Sequence, residues 1–154
     1  MGKEKGLPDR LAREVAVSFP NLDPAYEVTS PIDSSYNCIA HAAQDSERWW
    51  CDAEDSYWPE GAEREGSLAA LKQCYEAEGF AVCDNSEPEP GYTKIALYVD
   101  AHGRWTHAAR QVDGGKWTSK LGQYVDIRHL TPECVGGPEY GEVACFMRRP
   151  EDPT

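Results

Sequence analysis

Thr93-Lys-Ile-Ala-Leu-Tyr-Val99 is a short run of β-branched and aromatic residues, and the pair His102-Gly103 separates it from a second such run, 104–112. Runs of this kind divided by turn residues are typical of strands, and a glycine-containing pair suits a hairpin turn. Three further segments have the same character: 80–83, 116–119 and 142–148. The sequence therefore predicts an antiparallel sheet of about five strands.

Two amphipathic segments predict helices before most of these strands. Asp9 to Ser18 follows Pro8, and Ser67 to Glu78 has apolar residues at three-and-four spacing before Gly79. Helices followed by antiparallel strands indicate an α+β fold, with the N-terminal helices packed on the sheet. A chain of 154 residues is expected to form a single domain over its whole length, with flexible ends at about 1–7 and 150–154.

The charge and hydropathy of the chain exclude several classes of function. The formal net charge is -12, which opposes binding to a phosphate backbone or an anionic membrane surface. No segment approaches the roughly 18 apolar residues of a spanning helix, and the N-terminus lacks the apolar core of a signal peptide. We expect a cytoplasmic protein with no nucleic-acid partner, no membrane and no cofactor.

The cysteines favour buried thiols over a disulfide framework or a zinc site. Their spacings contain no Cys-x-x-Cys pair, and export is not indicated. Cys38 and His41 have a Cys-x-x-His spacing, which leaves a zinc site open as a minor alternative. The six cysteines stand at 38, 51, 74, 83, 134 and 145.

Cys38 is the best candidate for a reactive centre. It precedes Ile-Ala-His-Ala-Ala, a run of good helix formers, and it follows residues that can cap a helix, Asn37 among them. Cys38 is therefore expected in a first helical turn, where free N–H groups and the helix dipole favour a thiolate and lower the cysteine pKa.

A cysteine nucleophile needs a base and a group that orients the base. His107, at the start of a predicted strand beside small residues, is the best base, although it can equally be a hydrogen-bonded strand residue. Asp126 is the candidate orienting group, His129 is the alternative to it, and His41 is an alternative base. Asp126 can instead form an ion pair with Lys120 or with Arg128, its neighbour but one.

Several other side chains are candidates for supporting roles. The backbone N–H of Cys38 suits an oxyanion, and Asn37 or Tyr36 can supply a second donor, although for Asn37 a helix cap is favoured. An acidic stretch holds three of the five tryptophans, which either cap the core, the favoured interpretation, or line a binding cleft. The candidate substrate-binding residues are Trp49, Trp50, Trp58 and Lys120.

The chain resembles a family of small bacterial proteins, mostly uncharacterised, over roughly residues 19 to 149. The shared segments are Tyr-Asn-Cys-Ile-Ala, Trp-Trp, Thr-His-Ala-Ala-Arg-Gln, Trp-Thr-Ser-Lys-Leu-Gly and Asp-Ile-x-His, at 36–40, 49–50, 106–111, 117–122 and 126–129. More distantly it is similar to the NlpC-type and amidohydrolase branches of the papain-like superfamily.

This resemblance implies a papain-like fold with Cys38 as nucleophile, His107 as base and Asp126 as orienting residue. His41 departs from it, since a large apolar residue is expected at that position. The function implied is a cysteine hydrolase or acyl transferase acting on an amide, isopeptide or thioester bond of a peptide-like substrate. The alternative is a binding module that uses the aromatic surface of Trp49, Trp50 and Trp58.

Overall fold

One antiparallel sheet of seven strands forms the framework of the molecule. The computed structural model describes residues 9–53 and 55–151, and the strands lie in the spatial order β1-β6-β5-β4-β3-β7-β2. Their bounds are β1 Glu27–Val28, β2 Ala81–Cys83, β3 Tyr92–Val99, β4 Trp105–Gln111, β5 Trp117–Lys120, β6 Asp126–His129 and β7 Glu142–Pro150.

Three α-helices accompany the sheet in the described part of the chain: α1 Asp9–Ser18, α2 Cys38–Ala42 and α3 Leu68–Ala77. Two 3-10 turns, Asp113–Gly115 and Pro132–Val135, lie in the connections. No helix among the described residues is both long and apolar enough to cross a membrane.

The expectation of a papain-like fold, with N-terminal helices on about five strands, is wrong. Strands occupy the five predicted segments, but β1 and β6 extend the sheet to seven, and the helix that begins at Cys38 has only five residues. A helix of little more than one turn cannot cover a sheet as a helical layer does. Strand β7 also runs through Pro150, inside the end predicted to be flexible, while residues 1–7 and 152–154 lie outside the described residues.

The central strand β3 shows why the sheet forms here. It pairs with β4 on one side and β7 on the other, and its residues from Lys94 to Tyr98 are all buried. Side chains of a strand alternate between its two faces, so both faces of the sheet are covered at β3. This accounts for the continuous apolar run, where a half-exposed strand would alternate.

Two clusters of side chains cover the two faces. The first face, which we call the Cys38 face, carries Ile95, Leu97 and Ala108, and these pack with Cys38 and with residues of α3. The opposite face, which we call the His107 face, is lined by Ala96, Tyr98, Ala109, Trp117 and Ile127, with Val15 of α1 packed against them. Strand alternation therefore assigns each functional candidate to one side of the sheet.

Helix α2 begins where its sequence predicts. The Asn37 side chain accepts a hydrogen bond from the N–H of Ala40 at 3.2 Å, which confirms Asn37 as the N-cap. The same oxygen accepts from the N–H of Trp50 at 3.1 Å, and the Asn37 amide donates to the Trp50 carbonyl at 2.6 Å. One side chain therefore fixes both the start of the helix and the loop beside it.

Candidate functional site

Cys38 is the first residue of α2 and is buried. The N–H groups of Ala108, Ile39 and Cys38 itself point at its sulfur and favour a thiolate, but burial outweighs them and raises the pKa of the thiol to about 11. The predicted lowering of this pKa is therefore wrong. A low-polarity environment destabilises the charged form more than a five-residue helix can stabilise it.

The Cys38 sulfur lies where strands β4 and β5 stop pairing. The two strands are in register at Arg110 with Thr118 and at Gln111 with Trp117. Toward the start of β4 the Ala108 N–H points at the sulfur, and a side-chain bond from His107 to Ser119 joins the two strands there, with Nε2 and Oγ 3.0 Å apart. Cys38 and His107 thus border the same break in the ladder.

A chain of hydrogen bonds continues from Ser119 to His129. Ser119 Oγ is 2.8 Å from His129 Nε2, and His129 Nδ1 is 2.8 Å from the carbonyl oxygen of Thr131. Burial is the main cause that lowers the pKa of both His107 and His129, so both rings are neutral near pH 7.

The Thr131 carbonyl determines which nitrogens in this chain carry protons. A carbonyl only accepts, so His129 Nδ1 carries the proton and its Nε2 is an acceptor. Ser119 then donates its O–H to His129 and accepts from His107 Nε2–H. His107 Nδ1 is consequently a bare lone pair, and it is buried without a hydrogen-bond partner among the described residues.

Two tyrosines hold the His107 ring in place. Tyr140 stacks on it with centroids 3.9 Å apart and planes at 4°, and Tyr98 packs edge-on at 5.1 Å. Burial is the main cause that raises the pKa of Tyr140, and the charge of a Cys38 thiolate would add to it. The thiol and the imidazole lie on opposite faces of the sheet on either side of β4, and no hydrogen bond joins them in the described structure.

Asp126 lies on the Cys38 face and does not meet His107. Its Oδ2 accepts the hydroxyl of Tyr36 at 2.7 Å and lies 3.6 Å from His41 Nδ1, while Oδ1 is buried without a partner in the described residues. Burial raises the pKa of this carboxyl. The structure thus places Asp126 next to His41. The residue connected to His107 is His129, through hydrogen bonds to Ser119.

Ser119 is the residue that the sequence reasoning missed. It lies in the Trp117-Thr-Ser-Lys120 segment that carries the family resemblance. Alternation along β5 places Ser119 on the face opposite Thr118 and Lys120. This alternation is the feature of the sequence from which Ser119 could have been identified.

His41 is a poor base in this structure. Its Nε2 is 3.0 Å from the hydroxyl of Thr118. Burial, together with the positive charges of Arg110 and Lys120, lowers the pKa of His41 to about 3. The two cations disfavour the imidazolium that a general base becomes when it accepts a proton.

Lys120 and Tyr36 have structural partners that account for their polar groups. Lys120 is fully buried and donates to the carbonyl oxygens of Asp33 and Tyr124, with its ammonium 4.6 Å from the centre of the Tyr36 ring. The Tyr36 hydroxyl is committed to Asp126. In this arrangement neither side chain faces a substrate.

Two of the three candidate tryptophans belong to the core. Trp50 is 1% exposed and Trp58 is 5% exposed, and only Trp49 is half-buried. The Trp50 indole N–H donates to Asp45, and Trp58 stacks on Trp105 at 5.8 Å. The core interpretation of Trp50 and Trp58 is confirmed, and these two rings form no aromatic recognition surface.

The six thiols are all free. Across residues 9–53 and 55–151, no group of three or more His, Cys, Asp or Glu side chains is arranged to hold a metal ion.

A family defined by the description "Domain of unknown function (DUF7689)" matches residues 27–148. Neither the curated proteins nor the solved structures contain a match. The matched region includes Cys38, His107, Ser119 and His129, and it leaves out α1.

Proposed function

The chain belongs to this DUF7689 family of unknown function, and we propose its activity from its own side chains: it is a thiol-dependent hydrolase or acyl transferase. Cys38 is the nucleophile, and His107 is the general base. Ser119 and His129 hold the base in its reactive tautomer. The substrate is a peptide-like compound with an amide, isopeptide or thioester bond.

The observation that carries this proposal is the bare Nδ1 lone pair of His107. A buried polar atom without a partner costs about 1–3 kcal/mol, so such atoms are rare and call for an explanation. Here the lone pair belongs to a ring fixed by Ser119 and by Tyr140, at the break in the sheet where the Cys38 sulfur lies. A base held ready for a proton explains the unpaired atom.

The two pKa shifts favour a neutral resting pair. Burial raises the pKa of Cys38 to about 11 and lowers that of His107. Near pH 7 the thiol is therefore protonated and the imidazole is uncharged. Because Cys38 and His107 start from opposite faces of the sheet, the proposal requires a movement at the break in the β4–β5 ladder that brings the thiol and Nδ1 within hydrogen-bonding distance when substrate binds. The proton then moves to Nδ1 as the sulfur attacks, which is general-base catalysis without a stored ion pair.

The reaction that follows has two halves. The sulfur bonds to the carbonyl carbon, the bond to the leaving nitrogen or sulfur breaks, and the leaving group takes the proton from Nδ1. Water or an amine then attacks the acyl thioester, returns a proton through His107 and frees the thiol. The N–H groups of Cys38 and Ala108, which now point at the sulfur, are the donors available for the developing oxyanion.

The test uses p-nitrophenyl acetate with the full chain. We expect a burst of about one equivalent of p-nitrophenolate and acetylation of Cys38, located by peptide mass mapping. Cys38→Ala abolishes the burst, and His107→Gln slows it at least about a hundredfold, the usual lower bound for loss of a general base. Cys51→Ala removes a half-buried thiol outside the site and leaves the burst unchanged.

Three results would overturn the proposal: acetylation of Cys51 in place of Cys38, a burst no faster than that of the urea-unfolded chain, or a His107→Gln variant that reacts at the wild-type rate. Circular dichroism of each variant establishes that the compared chains are folded.

A further inference from the structure

A cavity of about 340 Å³ opens on the His107 face, between α1 and the segments around Leu121 and Tyr140. Its size lies within the usual range for small-molecule pockets, roughly 300–1,000 Å³. We propose that this cavity binds an organic ammonium ion carried on a short apolar body. The inference goes beyond the thiol chemistry and stands without it.

Apolar side chains form the walls. Leu11 and Val15 come from α1, Phe19 follows that helix, and Leu121 and Val125 come from the loop between β5 and β6. Burying an alkyl chain against such walls raises affinity by roughly fourfold per methylene group. The walls therefore select an apolar body.

The rim is negative. Glu14 and Glu139 line the cavity, both are exposed, and no basic residue lies among the described lining residues. Neither carboxylate has an ion-pair partner within the described residues. Arg10 and Arg13 border a shallower hollow on the other side of Glu14, so Glu139 is the carboxylate free of cationic neighbours in the lining.

The end of α1 adds a second source of negative potential. Ser18, the last residue of this ten-residue helix, lines the cavity, and the last turn of α1 contains no basic residue. The carbonyl groups at a helix C-terminus carry about half a negative charge and favour cations. Apolar walls, a free carboxylate and a helix C-terminus together match an alkylammonium ion, whereas an alcohol uses the walls alone and a carboxylate is repelled.

Tyr140 connects the cavity to the candidate site. Its ring lines the cavity and stacks on His107. A ligand here contacts a ring that fixes the proposed base, so its effect on the p-nitrophenyl acetate burst can be measured after binding has been established.

Calorimetric titration of the full chain with n-hexylammonium, hexan-1-ol and hexanoate at low salt tests the proposal. We expect hexylammonium to bind about tenfold more tightly than hexanol, and hexanoate to bind most weakly. Glu139→Gln weakens hexylammonium binding by about two- to fivefold, as expected for an exposed charge pair, and leaves hexanol binding unchanged. Glu60→Gln, an exposed glutamate outside the cavity, is the matched control and changes neither.

Leu11→Gln tests the walls and weakens hexylammonium and hexanol alike. Equal affinity for hexylammonium and hexanol would overturn the proposal, as would equal effects of Glu139→Gln and Glu60→Gln. Absence of saturable binding would overturn it too. Because Cys38 takes no part in these titrations, a failed acetylation test leaves their result unaffected.

Discussion

His41 and His107 are buried on opposite faces of the sheet, and their surroundings differ. His41, on the Cys38 face, lies among charged groups: Asp126 is 3.6 Å away, and Arg110 and Lys120 both act on its pKa. His107, on the opposite face, has a serine hydroxyl and tyrosine rings as neighbours. Burial is the main cause that lowers both pKa values; Arg110 and Lys120 add to the effect at His41, and two other histidines, His129 and His41, add to it at His107.

This difference separates a structural histidine from a reactive one. His41 cannot take up a proton without facing two cations, and its Nε2 is already bound to Thr118. Among the described residues His107 Nδ1 has no hydrogen-bond partner, and the other ring nitrogen is held by Ser119, which in turn bonds to His129. The density of charged groups alone is therefore a poor guide to the reactive site. The histidine in the more highly charged network, His41, is the one less able to accept a proton.

The largest effect is expected from Lys120→Met, which removes the buried cation of the Cys38 face at nearly constant volume. Asp126 then loses one of the two positive charges near it, while Arg110 remains, and two carbonyl oxygens lose their donor. Breaking a buried charge network from one side costs about 3–5 kcal/mol. Urea unfolding measures the loss of stability.

Lys116→Met provides the control, because Lys116 is exposed and only four residues away. It should change the free energy of unfolding by no more than about 0.5 kcal/mol. If both lysine variants lose the same stability, the buried charge of Lys120 contributes no more to the stability of the fold than an exposed lysine does.

Ser119→Ala should produce the next largest effect. It leaves the His107 Nε2–H and the His129 Nε2 without partners, which lowers the free energy of unfolding by about 1–3 kcal/mol. The hydrogen bond that fixes the tautomer of His107 is also lost. Thr118→Val removes the hydroxyl bound to His41 on the other face and keeps the side-chain shape. The two variants should lose similar stability in urea.

Only Ser119→Ala should also slow the acetylation of Cys38, by about tenfold or more, because the Thr118 hydroxyl bonds to His41 on the face opposite His107. A Thr118→Val variant that slows acetylation as much would show that the two faces do not differ in function.

The sequence predicted the positions of five strands, but it did not predict how the helices pack on the sheet. Runs such as 93–99 and 104–112 specify strands through side-chain chemistry, and β3 and β4 formed there. Strand β1 has only two residues, and β6, Asp-Ile-Arg-His, has mostly charged and polar residues; both are defined by pairing with a neighbour. Their existence depends on contacts between residues distant in sequence, such as Val28 with Ile127, which no local pattern contains.

The candidate site was predicted in part, for a similar reason. Asn37 as a cap and Cys38 as a first helical residue follow from local rules. The order of the histidines did not reveal that Asp126 and His107 lie on opposite faces, because that depends on the register between β5 and β6, in which Lys120 pairs with Asp126. The pKa of Cys38 was predicted in the wrong direction because local sequence shows the helix terminus but not the depth of burial.

His41 makes the Cys38 face sensitive to acid. A histidine whose pKa falls from 6.5 to about 3 on folding binds fewer protons in the folded chain, so stability falls as the pH drops from about 6.5 toward 3. One such group contributes up to about 1.4 kcal/mol per pH unit to the slope. Asp126, whose pKa is raised, acts in the opposite direction, since its stabilising contribution is lost as the pH rises through its folded-state pKa.

Comparing urea unfolding of the wild type and His41→Gln between pH 4 and 6.5 isolates this contribution. The variant should show the shallower dependence, while His107 and His129 keep part of the slope in both chains. Identical slopes would mean that His41 is protonated in the folded protein, contrary to its place beside two cations.

The smallest effect is expected from Arg128→Gln, at the exposed end of the charged network. Arg128 and Thr118 are register partners on the Cys38 face, and the Arg128 Nε and Nη2 atoms lie 2.9 and 2.6 Å from Glu27 Oε1. The side chains of this pair are 42% and 54% exposed, so water already solvates both charges in the folded and unfolded chains. The substitution should cost less than about 1 kcal/mol in urea, and less still in 1 M salt, which screens exposed pairs. A loss as large as that of Lys120→Met would show that burial does not decide which charges on this face hold the fold together.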